Sequence, residues 1–159
     1  MIKHLSLSLA RAGALFAGAL LLASHASAAD ASVESGANCM QYTDGAFWGV
    51  GHSDTGLENS TGSDINITCP FHRELDTSTA GASVKVSVYN PTAGGVFTCT
   101  IESFDSTGAW WDYKYGSTTA AGNQTFSIPT VGSKSGGHYT MSCAIPSGSI
   151  LYHYKLTEN

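Results

Sequence analysis

The chain has 159 residues, of which 42% are hydrophobic and 12% are charged, and its formal net charge is −5 at pH 7. Its seven Lys and Arg residues are scattered along the sequence. No basic patch is therefore available to neutralise phosphates, which excludes nucleic acids and anionic membrane surfaces as predicted partners. After residue 28, no apolar run approaches the ~20 residues that a membrane-spanning helix needs.

The first 28 residues have the pattern of a secretory signal peptide. Lys3 and Arg11 precede a short apolar stretch over residues 12–23, and Ala26-Ser27-Ala28 supplies the small residues of a cleavage site. A signal so rich in Ala and Leu is typical of a bacterial protein. We therefore predict a secreted or periplasmic product. It is more acidic than the precursor, because all twelve Asp and Glu residues follow the signal.

The rest of the chain predicts one all-β domain over residues 39–159, preceded by a flexible tail of small and polar residues at 29–38. Apolar and polar residues alternate in short segments, which is typical of half-buried strands. Turns rich in Gly, Ser, Asn and Pro separate these segments. The predicted strands cover residues 65–69, 84–89, 97–102, 109–115, 124–128, 138–145 and 150–156, with one or two more between 39 and 50. About eight short strands indicate an antiparallel β-sandwich or jelly roll.

Four cysteines follow the signal, and an exported chain with an even number of cysteines is predicted to form disulfides. Cys99 and Cys143 both alternate with apolar neighbours, so both are expected to face the core and to pair with each other. Cys39 then pairs with Cys69. The thirty-residue spacings lack the close cysteine pairs of a zinc site.

The aromatic run at residues 110–115 is the sharpest candidate for a binding site. In an extended strand, Trp111, Tyr113 and Tyr115 would share one face, and Trp110 would lie on the other. Rings with polar tips can stack on the apolar faces of sugars and form hydrogen bonds at their rims. The alternative is that these rings pack into the core of the sandwich, as aromatic strand residues often do. Both interpretations remain open at this point.

Residue patterns for catalysis are weak. The segment His52-Ser53-Asp54 contains the residue types of a catalytic triad, but adjacent residues of an extended segment point in opposite directions, so we interpret it as a turn. Glu102, Asp105 and Asp112 could in principle supply a carboxylate pair for sugar hydrolysis. We predict no catalytic residues, and interpret these acids as solvated surface.

A calcium site is a further hypothesis, although no cofactor is predicted. Asp54, Glu58, Asp64 and Asn66 lie in one loop-rich stretch, and hard oxygen ligands of this kind suit calcium. Their spacing differs from that of an EF-hand loop.

The second half of the chain carries an ordered pattern of Cys, Pro and Tyr residues. It comprises Cys69-Pro70, Cys99, Cys143-Ala144-Ile145-Pro146 and a C-terminal Tyr-x-Tyr-x-x-x-Glu over residues 152–158. This pattern resembles a group of small secreted bacterial proteins of unassigned function. The resemblance spans about two-thirds of the chain and implies an exported β-sandwich with disulfides. It implies no activity.

Taken together, the sequence favours a secreted, non-catalytic binding module for extracellular carbohydrate or cell-surface glycan. The predicted contact residues are Trp110, Trp111, Tyr113 and Tyr115. A structural or inhibitory protein-interaction domain is the alternative, and a small secreted hydrolase is a third hypothesis.

Overall fold

A computed structural model of the chain describes residues 31–41, 50–73 and 79–159. The predicted signal peptide, residues 1–28, lies outside the described residues, as do residues 42–49 of the segment 39–50, in which one or two further strands are predicted. The described residues form eleven strands and one short 3-10 turn, Gly36–Asn38. The strands are β1 (Ala31–Ser35), β2 (Met40–Gln41), β3 (Val50–Ser53), β4 (Gly56–Asn59), β5 (Ile65–Pro70), β6 (Ala82–Asn90), β7 (Phe97–Phe104), β8 (Trp110–Thr118), β9 (Gly122–Val131), β10 (His138–Ile145) and β11 (Ile150–Glu158).

The strands form two antiparallel sheets, which confirms the predicted all-β sandwich. Sheet A has the order β3-β4-β11-β6-β9, with β1 also paired to β11, and sheet B has the order β2-β5-β10-β7-β8. The two sheets contact each other through aromatic rings, such as Phe97 of sheet B against Phe126 of sheet A at 6.3 Å between centroids. The hydroxyl of Tyr154 in sheet A donates a 2.7 Å hydrogen bond to the carbonyl of Pro70 in sheet B.

The sequence predicts about eight strands, which is fewer than the eleven of the described residues. It also predicts a flexible tail at 29–38, and part of this segment is instead a strand. Residues 31–35 form β1, which pairs along β11 from Ser35 opposite His153 to Ala31 opposite Thr157. The polar composition of this segment hid the strand, because its alternating side chains are exposed or half-buried. Its stability comes from backbone pairing with β11, which lies far away in the sequence.

Alternation along each strand builds the core, as predicted. The side chains of Val84, Val86 and Val88 on β6 are fully buried, as are those of Cys99 and Ile101 on β7. The pattern shifts in β11, where an irregularity between Leu151 and His153 changes which residues face inward. Tyr154 is therefore buried, whereas Tyr152, which strict alternation with Ile150 and Leu156 would also place inward, is only half-buried.

Both predicted disulfides are confirmed, and both lie within sheet B. Cys99 and Cys143 are directly opposite each other on the neighbouring strands β7 and β10. Cys39 immediately precedes β2 and is bonded to Cys69 of the adjacent strand β5. The four cysteines are buried in the core, and none is free. The two covalent links therefore join β7 to β10, and the residue before β2 to β5, in the sheet that carries the aromatic run.

Candidate functional site

The aromatic run forms β8, an edge strand of sheet B, and its rings are exposed. The exposed fractions are 55% for Trp110, 48% for Trp111, 49% for Tyr113 and 65% for Tyr115. These values decide between the two interpretations left open by the sequence, because none of the four rings packs in the core. Exposure of large apolar rings to water is unfavourable in free energy, and a bound partner that covers the rings would remove this unfavourable exposure.

A β-bulge changes which of these rings share a face. Phe104 of β7 pairs with Trp110, whereas the preceding Ser103 pairs with Asp112, so Trp111 is the extra residue of β8. The bulge brings Trp110 to the same side as Tyr113, with 5.6 Å between their ring centroids. The simple alternation predicted Trp111 on the face of Tyr113 and Tyr115, and the bulge makes that prediction wrong.

Trp111 instead lies against the loop that follows β9. The ammonium group of Lys134 is 3.7 Å from the centroid of the Trp111 ring, a cation–π contact. A Cβ added to Gly132 would lie 3.5 Å from the indole nitrogen of Trp111. We define the aromatic strip as Trp110, Tyr113 and Tyr115, with Trp111 at its flank.

Asp112 holds the bulge to that loop. Its Oδ2 accepts a 2.9 Å hydrogen bond from the backbone N–H of Gly132, and its Oδ1 accepts one of 3.0 Å from the ammonium of Lys114. The bond from Gly132 outweighs partial burial and, with the bonds from Lys114 and the backbone of Tyr113, lowers the pKa of Asp112. The carboxylate is therefore a structural anchor that is ionised at neutral pH.

A depression of about 430 Å³ borders the aromatic strip on the outer face of sheet B. Its lining comes from three strands that are distant in sequence, and consists of Asn66, Ile67, Thr68, Glu102, Thr140 and Ser142. The strand registers place the depression beside the strip, because Glu102 pairs with Tyr113 on one side and with Thr140 on the other. Adjacent strands are ~4.8 Å apart, so the face extends about 14 Å from β8 to β5.

Open space also lies on the other side of the strip. A second depression, of about 540 Å³, is lined by Tyr113, Tyr115 and Pro129 together with Asp112 and Lys114. Tyr113 and Tyr115 both line this second depression, and Tyr113 also borders the first because it pairs with Glu102. Tyr113 therefore lies between the two depressions.

At one end of the face, an aromatic stack extends the apolar surface toward β10. The rings of Phe104 and His138 are nearly parallel, with 5.0 Å between centroids and 9° between planes. Phe104 is also the register partner of Trp110. Sequence reasoning did not select His138 or Phe104, because their adjacency depends on the pairing of β7 with β10.

Two of the three acids considered for sugar hydrolysis, Asp105 and Asp112, are held by local hydrogen bonds. The Oδ1 of Asp105 accepts hydrogen bonds from the side chain of Thr107 at 2.6 Å and from the backbone N–H of Ala109 at 3.0 Å. These bonds lower the pKa of Asp105, and they cap the turn between β7 and β8. With Asp112 held by Gly132, Glu102 is the one of the three predicted acids that lines a depression and accepts no such hydrogen bond from the described residues.

The other residues considered for catalysis or metal binding are not grouped into a site among the described residues either. His52 and Ser53 lie in β3, and the turn predicted over 52–54 begins only at Asp54. His52 Nδ1 is 3.0 Å from the carbonyl oxygen of Ala37, whereas the hydroxyl of Ser53 bonds to Thr55. In the part of the chain that the structure describes, no three His, Cys, Asp or Glu residues are grouped to hold a metal ion, including Asp54, Glu58 and Asp64.

A comparison with models of known protein families finds no match, and neither does a comparison with curated protein sequences. The resemblance of the second half to small secreted bacterial proteins therefore stays a prediction. Across residues 31–41, 50–73 and 79–159, no helix is long and apolar enough to cross a membrane.

Proposed function

We propose that this protein is an extracytoplasmic, non-catalytic module that binds an extended carbohydrate or a cell-surface glycan on the outer face of sheet B. One observation carries this proposal: the aromatic strip is exposed directly beside a depression lined by hydroxyl, amide and carboxylate groups. Apolar rings next to hydrogen-bonding groups match the two kinds of surface that a sugar presents.

The strip supplies the apolar part of the contact. An aromatic side chain covers roughly 150–250 Å², so covering the exposed half of one ring removes about 100 Å² from water. At about 25 cal/mol per Å², each ring would contribute ~2.5 kcal/mol before the cost of association is subtracted. Trp110, Tyr113 and Tyr115 follow one strand, which favours an elongated ligand that lies along β8.

The depression supplies the polar part. Thr140 and Ser142 of β10 lie beside Glu102 and Thr100 of β7 on the outer face. Thr68 of β5 continues the row from Ser142. Hydroxyl groups both donate and accept hydrogen bonds, so they can pair with sugar hydroxyls in either direction.

A protein partner is the alternative, because exposed aromatic residues also occur in protein interfaces. Among the described residues, the other large exposed apolar side chains are Val33, Met40 and Val96, which lie on separate elements. The exposed apolar surface is thus concentrated on β8, where its rings carry polar tips. This distribution favours a glycan.

The test is retention of the mature protein on insoluble cellulose, chitin, xylan, mannan and starch. We expect at least one of these polysaccharides to retain the wild type, and Trp110→Ala or Tyr113→Ala to weaken that retention by about tenfold, or ~1.4 kcal/mol. The matched control is Tyr89→Ala, since Tyr89 is a half-buried tyrosine on the outer face of sheet A.

Each variant should keep the melting temperature close to that of the wild type, because surface substitutions usually change stability by less than about 0.5 kcal/mol. If no polysaccharide retains the wild type, or if the strip variants bind as well as Tyr89→Ala does, the proposed function is wrong.

A further inference from the structure

We propose that Glu102 makes the site selective for neutral or amine-bearing sugars and against acidic ones. This inference rests on the proposed function and names the chemical class of its ligand. It also assigns a specificity-determining role to a residue that sequence reasoning interpreted only as solvated surface.

Glu102 occupies the centre of the outer face of sheet B. It pairs in register with Tyr113 on β8 and with Thr140 on β10, so it lies between the aromatic strip and the row of hydroxyl groups. It is half-buried and lines the depression of about 430 Å³. A ligand that stacks on Tyr113 and reaches Thr140 must cross the Glu102 carboxylate, because the strands are only ~4.8 Å apart.

Three cationic side chains of the described residues interact with groups other than Glu102. Lys114 is paired with Asp112 at 3.0 Å, and the ammonium of Lys134 lies over the Trp111 ring. Arg73 is paired with Glu158 at 3.2 Å in the interior. Within the described residues, Glu102 makes no ion pair at or below 4.0 Å.

The two remaining lysines lie on the opposite surface of the sandwich. Lys85 and Lys155 are directly opposite each other on β6 and β11 of sheet A, and both are exposed. They are separated from Glu102 by the thickness of the sandwich, since stacked sheets are ~10 Å apart. The charge that a ligand meets on the outer face of sheet B is therefore dominated by one carboxylate.

A carboxylate in this position discriminates by charge. Its oxygens accept hydrogen bonds from sugar hydroxyls, and more strongly from an ammonium group. A uronic acid or sulfate bound in the depression brings a second negative charge within a few ångströms of Glu102, and no cation of the described residues is ion-paired with Glu102 to offset the repulsion. At an effective dielectric constant between that of water and ~20, such a repulsion lowers affinity by roughly tenfold.

The experiment uses three pairs of polysaccharides that differ within each pair mainly in charge: cellulose and carboxymethyl cellulose, methyl-esterified and de-esterified pectin, and chitin and chitosan. Wild-type protein should bind the neutral member of the first two pairs about tenfold more tightly than the acidic member, and chitosan more tightly than chitin. Glu102→Gln should reduce each of these preferences at least fivefold. Glu102→Asp, which keeps the charge, should retain them.

The matched control is Glu58→Gln, because Glu58 is an exposed carboxylate on sheet A and its substitution changes the net charge by the same amount. Equal effects of Glu58→Gln and Glu102→Gln would show that the preference comes from overall charge, and would overturn the inference. Equal binding of neutral and acidic members by the wild type would also overturn it.

The outcomes separate the two proposals. If Tyr113→Ala abolishes binding while Glu102→Gln leaves every preference unchanged, the glycan-binding function stands and the role of Glu102 is wrong. If the wild type binds none of these six polysaccharides and also fails to bind xylan, mannan and starch, the proposed function itself fails, and this inference fails with it. The melting temperature of each variant confirms that the fold is intact.

Discussion

Asp112 should stabilise the protein at neutral pH and lose that effect in acid. The substitution Asp112→Asn keeps the size of the side chain but removes its charge, and so imitates the protonated acid. The lost interactions are the charge-assisted bond to the Gly132 N–H and the ion pair with Lys114.

The expected magnitude follows from these two contacts. A hydrogen bond to a charged group contributes about 1.5–3 kcal/mol, and an exposed ion pair contributes about 0–1 kcal/mol. The Asp112 side chain is 32% exposed, so solvent screening reduces the total, and Asn retains a neutral hydrogen bond. We expect Asp112→Asn to lower the free energy of unfolding by about 1–2 kcal/mol at pH 7.

The pH dependence has a definite sign. The pKa of Asp112 is lower in the folded state than in the unfolded chain, so the folded state favours the ionised form. The stabilisation is therefore complete above the unfolded pKa of about 3.9 and is lost as the pH falls through the lower, folded value. Wild type and Asp112→Asn should then converge.

Urea unfolding at several pH values between 7 and 2 measures this difference, and Glu58→Gln is the control for removing an exposed carboxylate without such partners. The reasoning would be refuted if Asp112→Asn were as stable as the wild type at pH 7. A destabilisation that persisted unchanged at the lowest pH would equally refute it, because the charge would then not be its cause.

Two further sets of substitutions test the framework that supports the site. Replacing Cys99 and Cys143 with Ala opens a loop with a sequence separation of 44 residues. It should lower the free energy of unfolding by about 4 kcal/mol in the chain-entropy model; a loss below about 1 kcal/mol by urea titration would contradict this. Arg73→Met should destabilise the fold by about 3 kcal/mol, since the Arg73 and Glu158 side chains are only 6% and 3% exposed and the carboxylate would lose this cation. Adding Glu158→Met should restore part of that stability in thermal unfolding, although the carbonyls of Lys134 and Gly137 still lose their bonds from Arg73; a double variant no more stable than Arg73→Met would count against the explanation.

The sequence by itself determined the class of fold and the covalent framework. Strict alternation in segments such as 84–89 and 97–102 is enough to predict strands, because a strand places successive side chains on opposite faces. Cys99 and Cys143 follow the same alternation, so their inward direction and their pairing could be predicted without knowledge of the strand order. The aromatic run was likewise visible as a candidate.

Only the tertiary structure decided how that candidate is built. Whether Trp110 or Trp111 shares a face with Tyr113 depends on one extra residue opposite β7, and a bulge leaves no mark in the alternation of a single strand. Glu102, Thr140 and Thr68 become neighbours through the order β5-β10-β7-β8. Backbone hydrogen bonds between strands distant in sequence set that order, and a local pattern of side chains does not encode it.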